Sequence, residues 1–248
     1  MKMSRHLPLR GTYNIRDLGG YKTVLGNTIP WRRFLRSDSL HRLEDGEADR
    51  LHAFGLRKVI DLRTPDELAN APNPFASYPN VQFANVPLFD DLSPEALSKT
   101  RRPGDDPLFA FYMAAINTRG PAISAIMTEI AGVDQGAVLF NCTAGKDRTG
   151  IIAALLLGLA DVPHDQIVED YTLTADLITD LVAEFLELSR ARGGDTESYA
   201  RLLQSPGPTM VSTLAQIQTK YGSISDYLKL IGLPLSDVEK LRTRLLEQ

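Results

Sequence analysis

The segment Asn141-Cys142-Thr143-Ala144-Gly145-Lys146-Asp147-Arg148-Thr149-Gly150 lies between two apolar runs, and that placement constrains the fold more than any other feature of the chain. Ala137-Val138-Leu139-Phe140 precedes it, so residues 137 to 141 read as a short buried strand. Ile151 to Ala160 follows it and reads as a buried helix. The only cysteine of the chain therefore stands at the tip of a strand, with a loop leading from it into a helix N-terminus. Oriented backbone N–H groups and the helix dipole make such a place favourable for an anion.

Cys142 and Arg148 are six positions apart, with Gly145 between them. A loop this short can curl round one phosphoryl group, the thiolate beneath the phosphorus and the guanidinium forking two oxygens. Only the thiolate is a good nucleophile, and both a helix N-terminus and an arginine favour that form. The hydroxyl of Thr149 is placed to hydrogen-bond it. Gly145 lets the backbone turn its N–H groups inward with no Cβ in the way. The expected chemistry is covalent: a cysteinyl-phosphate forms and water then hydrolyses it. The phosphate-binding set is Thr143, Ala144, Gly145, Lys146, Asp147, Arg148 and Thr149. Arg148 and the loop amides neutralise the phosphoryl oxygens, so neither a metal nor another cofactor is expected.

A lone cysteine is by default an inert, buried small hydrophobe. Here the glycine, the arginine, the threonine and the strand-to-helix context all agree on a functional reading. Ala144-Gly145-Lys146 faintly suggests a nucleotide-binding loop, but Asp147 follows the lysine and Phe140 holds the position of the earlier glycine. A redox role is weak, because no second cysteine is present to resolve a disulfide.

With 248 residues, 43% of them hydrophobic and 23% charged, the chain suits one globular domain over residues 1–248 with a sizeable core. A net charge of −4 argues against a nucleic-acid partner. No apolar stretch follows Met1 to Arg10, so no signal peptide is visible and a cytoplasmic location is expected. The longest apolar run, from Ile151, ends at Asp161, too short to span a membrane. His6, His41, His52 and His164 show no metal-ligand spacing.

The rest of the chain alternates strands with helices. Leu9 to Leu40 reads as short strands and turns, Leu43 to Phe54 as a helix stopped by Gly55, and Arg57 to Leu62 as a strand. Arg63-Thr64-Pro65-Asp66-Glu67 reads as a cap and a short helix start, Val81 to Leu88 as a strand, and Ala122 to Ile130 as a helix. From Pro163 onward the chain is almost all helix. The fold class is α/β, a central mixed sheet flanked by helices with a largely helical C-terminal region. Phe89 to Leu108 is polar and carries Pro94, Pro103, Gly104 and Pro107. A connection that long is often a functional lid.

Cys142 to Thr149 resembles the signature of protein tyrosine and dual-specificity phosphatases, a cysteine, five residues, an arginine, then Ser or Thr. The likeness is to the bacterial branch of that family and covers nearly the whole chain. Asn14-Ile15-Arg16-Asp17-Leu18-Gly19-Gly20, Phe34-Leu35-Arg36-Ser37-Asp38-Ser39-Leu40, Val59-Ile60-Asp61-Leu62-Arg63 and Tyr221-Gly222-Ser223 are similar to its flanking motifs. The resemblance implies a cysteine phosphatase-like fold acting on phosphorylated proteins or phosphoinositides, with Cys142 and Arg148 catalytic. It also implies that Val86-Pro87-Leu88-Phe89-Asp90-Asp91 opens a general-acid loop, inserted at 89–108. A leaving ester oxygen needs a proton, which suits a carboxylic acid on such a loop. Asp90 is the first choice, counting from Pro87, and Asp91 the next. Asp147, inside the phosphate loop, is a further candidate as acid, as water-positioning group or as partner of Lys146.

Lys146 resembles the lysine of lipid and dual-specificity loops, where it adds charge for a second phosphate; its default place is the solvated rim. Arg16, Asp17, Arg36, Asp61 and Arg63 are expected to form buried ion pairs supporting the loop. Lys99, Arg101 and Arg102 read as solvent-facing, with a role in meeting an acidic substrate as the sharper alternative. Ile167, Tyr171, Leu177, Leu181, Phe185 and Leu188 give apolar helix faces, either core or a cover over the site. The family usually has His before the cysteine, where this chain has Asn141. That departure favours a second reading, a phosphatase-like module that binds phosphorylated ligands with little turnover. The resembled enzymes are exported, so secretion stands beside the cytoplasmic expectation.

Overall fold

In the computed structural model, which describes residues 4–89 and 106–247, the strand before the cysteine is the middle of a five-stranded sheet. The strands are β1 (Arg16–Asp17), β2 (Phe34–Ser37), β3 (Leu56–Asp61), β4 (Gln82–Asn85) and β5 (Ala137–Asn141). Their order is β1-β2-β5-β3-β4; β1 runs antiparallel to β2 and all other pairs are parallel. Parallel strands are covered on both faces and so read as near-continuous apolar runs. That is why Ala137-Val138-Leu139-Phe140 shows no polar alternation. Asn141 pairs with Ser37 on one side and Asp61 on the other, so three parallel strands end at one level. Open α/β sheets bind their ligands beyond these carboxyl ends.

Successive side chains of a strand point to opposite faces, and the core divides accordingly. Val138 and Phe140 join Phe34 and Ile60 in the larger core cluster. Ala137 and Leu139 join Leu35, Leu56 and Val59 in the smaller one. Eleven α-helices are described: α1 (Glu47–Phe54), α2 (Pro65–Asn70), α3 (Pro107–Thr118), α4 (Gly120–Ala131), α5 (Asp147–Leu159), α6 (His164–Leu177), α7 (Thr179–Ala191), α8 (Thr196–Leu203), α9 (Gly207–Tyr221), α10 (Ile224–Leu230) and α11 (Leu235–Leu246). The larger cluster draws on α3 to α6 and α9 to α11; the smaller includes Leu51 of α1 and Phe75. Helix α5 is buried almost all round. Its Gly158 makes room for α10, since a Cβ there would lie 2.1 Å from Ile224 Cδ1. Arg244 pins α11 beneath the sheet by donating to the carbonyls of Ile130 and Gly136 at 3.1 and 2.8 Å.

The α/β class, the mixed sheet and the helical C-terminal region stand as expected. Several boundaries differ. The helix expected from Leu43 begins only at Glu47, behind Gly46 in a left-handed conformation. The strand expected over Val81 to Leu88 is regular only from Gln82 to Asn85; beyond it, Val86 N donates to Asp61 O and Leu88 N to Leu62 O. Helix α3 was not anticipated; its start is capped by Asp106, whose carboxylate accepts from Leu108 N and Phe109 N. The helix after the cysteine loop starts at Asp147 rather than Ile151, placing Arg148 in its first turn. Among the described residues, no helix is long and apolar enough to cross a membrane.

Candidate active site

The loop from Cys142 to Lys146 is held by its carbonyls. Ser39 N donates to Thr143 O at 3.1 Å. Asn14 Nδ2 donates to Ala144 O at 2.9 Å and to Gly145 O at 3.1 Å, and Arg36 Nη2 donates to Gly145 O at 2.7 Å. In a trans peptide C=O and N–H point in opposite directions. The amides of Ala144, Gly145 and Lys146 therefore face away from these donors, which is how backbone groups form an anion nest. Gly145 has φ +66°, and a Cβ there would lie 2.5 Å from Ser37 O, so the loop passes β2 at a distance only glycine allows. Cys142 is 3% exposed, at the carboxyl end of β5. Among the described residues no group of His, Cys, Asp or Glu could hold a metal ion.

A buried charge cluster carries the donors. Arg16 Nε and Tyr21 Oη reach Asp170 Oδ1 at 3.0 and 3.3 Å, and Arg36 Nη1 bonds Asp170 Oδ2. Burial pushes the Asp170 carboxyl up, but Arg16 and Arg36 outweigh it and pull it down to about 2. Both arginines thus pair with Asp170 on α6, which the sequence reading did not single out, and not with Asp17. Asp17 instead accepts from the amides of Gly19 and Arg32 at 2.8 and 2.7 Å. Asp61 and Arg63 do pair, at 2.8 Å. Asp38 accepts from the amides of Tyr13 and Asn14, and burial pushes its carboxyl up to about 6 against those bonds.

Arg148 meets a carboxylate that sequence reasoning placed only at a helix start. Its Nη1 and Nη2 fork Glu67 at 2.5 and 2.8 Å, and Nη2 also donates to Thr143 Oγ1 at 3.0 Å. Burial pushes the Glu67 carboxyl up, yet the Arg148 hydrogen bond and charge prevail and bring it to about 2. The Phe89 ring lies 5.9 Å from the guanidinium carbon and packs edge-on against Phe111. Asp90 and Asp91, the expected acids, lie outside the described residues, as do Lys99, Arg101 and Arg102.

Lys146 departs most from expectation. It is 1% exposed, not at a solvated rim and not directed at a second phosphate. Its ammonium donates to Leu202 O and to Gln204 O at 2.9 Å, and forms an ion pair with Asp147 Oδ1 at 3.2 Å. Two backbone carbonyls and one carboxylate thus surround the buried ammonium. Asp147 also accepts from Tyr112 Oη, which lies 2.8 Å from Tyr171 Oη. Thr149 Oγ1 is buried and has no hydrogen-bond partner among the described residues. Asn141, where the resemblance implies histidine, is fully buried; its Oδ1 is 3.5 Å from Asn73 Nδ2, which also donates to Asp61.

Ile178 and Leu181, with Tyr13, Val182 and Phe185 beside them, pack on Ala144, so α7 lies against the loop. Glu184 fastens that helix, accepting from Tyr13 Oη at 2.9 Å and Arg42 Nη1 at 2.5 Å. The apolar positions thus divide: Ile167 and Tyr171 enter the main core, Leu181 and Phe185 cover the loop, and Leu188 is 52% exposed.

A family model described as the tyrosine phosphatase family matches residues 7–247. A tyrosine-protein phosphatase of Nostoc commune is 34% identical over 223 residues, covering 88% of this chain and 75% of that protein. The triple specificity protein phosphatase PtpB of Mycobacterium tuberculosis is 30% identical over 279 aligned positions, covering 98% of this chain and 99% of that one. The crystal structure of P. aeruginosa TpbA is 15% identical, covers 74% of this chain and 96% of its own, and gives a TM-score of 0.34, too distant to bear on the site.

Proposed function

The chain belongs to the tyrosine phosphatase family, and we propose that it hydrolyses phosphotyrosine monoesters through a cysteinyl-phosphate on Cys142. One observation carries this reading: Cys142 directly follows the central strand, Arg148 lies in the first turn of α5, and the carbonyls of residues 143 to 145 between them are tied outward. Cys142 Sγ attacks phosphorus as the bond to the tyrosyl oxygen breaks. The leaving oxygen takes a proton from a carboxylic acid, which we assign to Asp90. Water, losing a proton to the same carboxylate, then attacks phosphorus and releases thiolate and phosphate. Arg148 and the amides of residues 143 to 149 hold the phosphoryl oxygens throughout. Asp91 and Asp147 are the alternative acids; Asp147 is second to Asp90 because Tyr112 and Lys146 already engage it.

PtpB is described as a triple specificity phosphatase. We order the substrates of this chain as phosphotyrosine, then phosphoserine and phosphothreonine, then phosphoinositides. The last would gain from a cation for a second phosphate, and Lys146 is committed to Leu202, Gln204 and Asp147. A single catalytic unit over 1–248 is supported by the way Arg244, near one end, and Arg16, near the other, both bond into the framework of the sheet and loop. The test is hydrolysis of p-nitrophenyl phosphate and a phosphotyrosine peptide by the purified chain. Cys142→Ser should abolish turnover and retain phosphate binding. Hydrolysis surviving in pure Cys142→Ser would remove the covalent mechanism; phosphate binding without turnover by the unaltered chain would favour the binding-module reading.

A further inference from the structure

Arg50 and Phe54 of α1 are four positions apart and so share one helix face. With Leu51 of the same helix and Leu7 and Leu9 of the N-terminal segment they line a surface cavity of about 330 Å³. Leu9 and Leu51 are buried in the smaller core cluster, and Leu7 and Phe54 are half-buried against it, so the lining is largely apolar. Arg32, which is exposed, joins them, its guanidinium carbon 4.7 Å from the centre of the Phe54 ring. Arg32 precedes β2 and Phe54 precedes β3, so the cavity lies at the amino ends of strands whose carboxyl ends face the Cys142 loop.

Two observations specify an anionic occupant. Arg50 is engaged by Glu47 at 2.8 and 3.1 Å, but among the described residues no carboxylate pairs with the Arg32 guanidinium. Arg32 also has φ +62°, a left-handed conformation that glycine or asparagine adopts at lower cost. Asp17 holds it there by accepting from Arg32 N at 2.7 Å. Strain retained at a cation beside an apolar cavity points to a ligand for that cation. The apolar lining disfavours a small hydrated anion such as phosphate, which would leave it uncovered. A guanidinium fork matches a planar carboxylate through two parallel N–H···O bonds. A volume of this size, apolar with few polar groups, suits a small molecule.

We propose that this cavity binds a medium-chain aliphatic carboxylate, its alkyl chain against Leu7, Leu9, Leu51 and Phe54 and its carboxylate forked by Arg32. The site is separate from the loop from Cys142 to Arg148 and does not depend on the reaction assigned to that loop.

Decanoate is titrated calorimetrically into the full chain at constant ionic strength. One-to-one saturable binding is expected, and octanoate, two methylenes shorter, should bind about tenfold more weakly. Arg32→Gly removes the guanidinium and suits the positive φ. The Kd for decanoate should rise about tenfold or more, with Tm no more than about 2 °C below that of the unaltered chain. Should Arg32→Gly not fold, Ala53→Glu adds a negative charge on the exposed part of the same lining and should weaken decanoate binding likewise. Excess inorganic phosphate should leave the decanoate Kd within about twofold, because the two anions occupy different sites. Absence of saturable binding below about 1 mM, or an unchanged Kd in either variant, overturns the proposal. Displacement of decanoate by phosphate overturns it too, since the carboxylate would then sit in the Cys142 loop. So does a concentration-dependent dimer that Ala53→Glu dissociates, since a second copy would then cover the cavity. Failure of the phosphatase reading leaves a different trace: p-nitrophenyl phosphate is not hydrolysed while decanoate still binds.

Discussion

Lys146 Nζ donates to the backbone carbonyl of Gln204 at 2.9 Å, so the lysine of the 142–148 loop fastens the end of α8 to that loop. With Leu202 O as its other acceptor and the Asp147 carboxylate paired to it at 3.2 Å, the buried ammonium acts as a strut. Lys146→Met keeps the aliphatic length and removes all three donors. Leaving the two carbonyls without their donor should lower stability by roughly 2–3 kcal/mol. Amide exchange in residues 196–204 should quicken more than elsewhere. Unchanged exchange there, with an unchanged Tm, would show that α8 is held by other means.

Arg148→Lys should lower kcat/KM for p-nitrophenyl phosphate by about 10²–10³-fold, because a point charge cannot replace a two-pronged donor at developing negative charge. The Glu67 fork makes the loss larger, since lysine cannot satisfy both carboxylate oxygens in one plane. Steady-state kinetics at constant ionic strength is the measurement. Wild-type kinetics in the lysine variant would contradict the geometry.

Asp90→Asn should slow hydrolysis of phosphotyrosine and alkyl phosphates far more than that of an activated aryl phosphate, whose leaving group needs no proton. A ratio of kcat values across leaving groups reads this directly. Should Asp90→Asn leave every substrate untouched while Asp91→Asn or Asp147→Asn cripples them, the acid is another of the three.

Two buried carboxyls give stability opposite dependences on pH. Asp170 is brought down to about 2, below the ordinary value of about 3.9 for an unfolded chain. Its contribution is present above that ordinary value and is lost as pH falls towards 2. Asp38 is raised to about 6, so between about 4 and 6 the folded chain binds more protons than the unfolded one, and its contribution falls as pH rises through that window. Urea midpoints measured at intervals from pH 3 to 7 for the unaltered chain and Asp38→Asn separate the two. The Asp38→Asn curve should lie flatter above pH 4; parallel curves would show that Asp38 does not titrate there. Removing Asp170 should cost more, about 3–5 kcal/mol, because Asp170→Asn strands two buried guanidiniums.

Much of this was legible along the chain because the signals are short-ranged. The apolar run at 137–140 predicts a covered strand whatever its neighbours, and the six-residue spacing of Cys142 and Arg148 across Gly145 can be read without knowing the sheet order. Thr64 and Glu67 announce a helix start by their own spacing. The pairing of long charged side chains has no such local signature. Arg148 finds Glu67 from 81 positions away, Arg16 finds Asp170 from 154, and Lys146 reaches carbonyls 56 and 58 residues on. In the sequence Asp17 and Asp170 are equivalent partners for Arg16 and Arg36, and Lys146 could equally be a rim cation. Which carboxylate is met depends on where the elements stand once packed. Composition and local pattern therefore determined the α/β layering, the loop from Cys142 to Arg148 and its position at a strand end. Tertiary structure alone decided which charges became partners, because burial penalises every unpaired charge and only the packed chain shows which partner lies within reach.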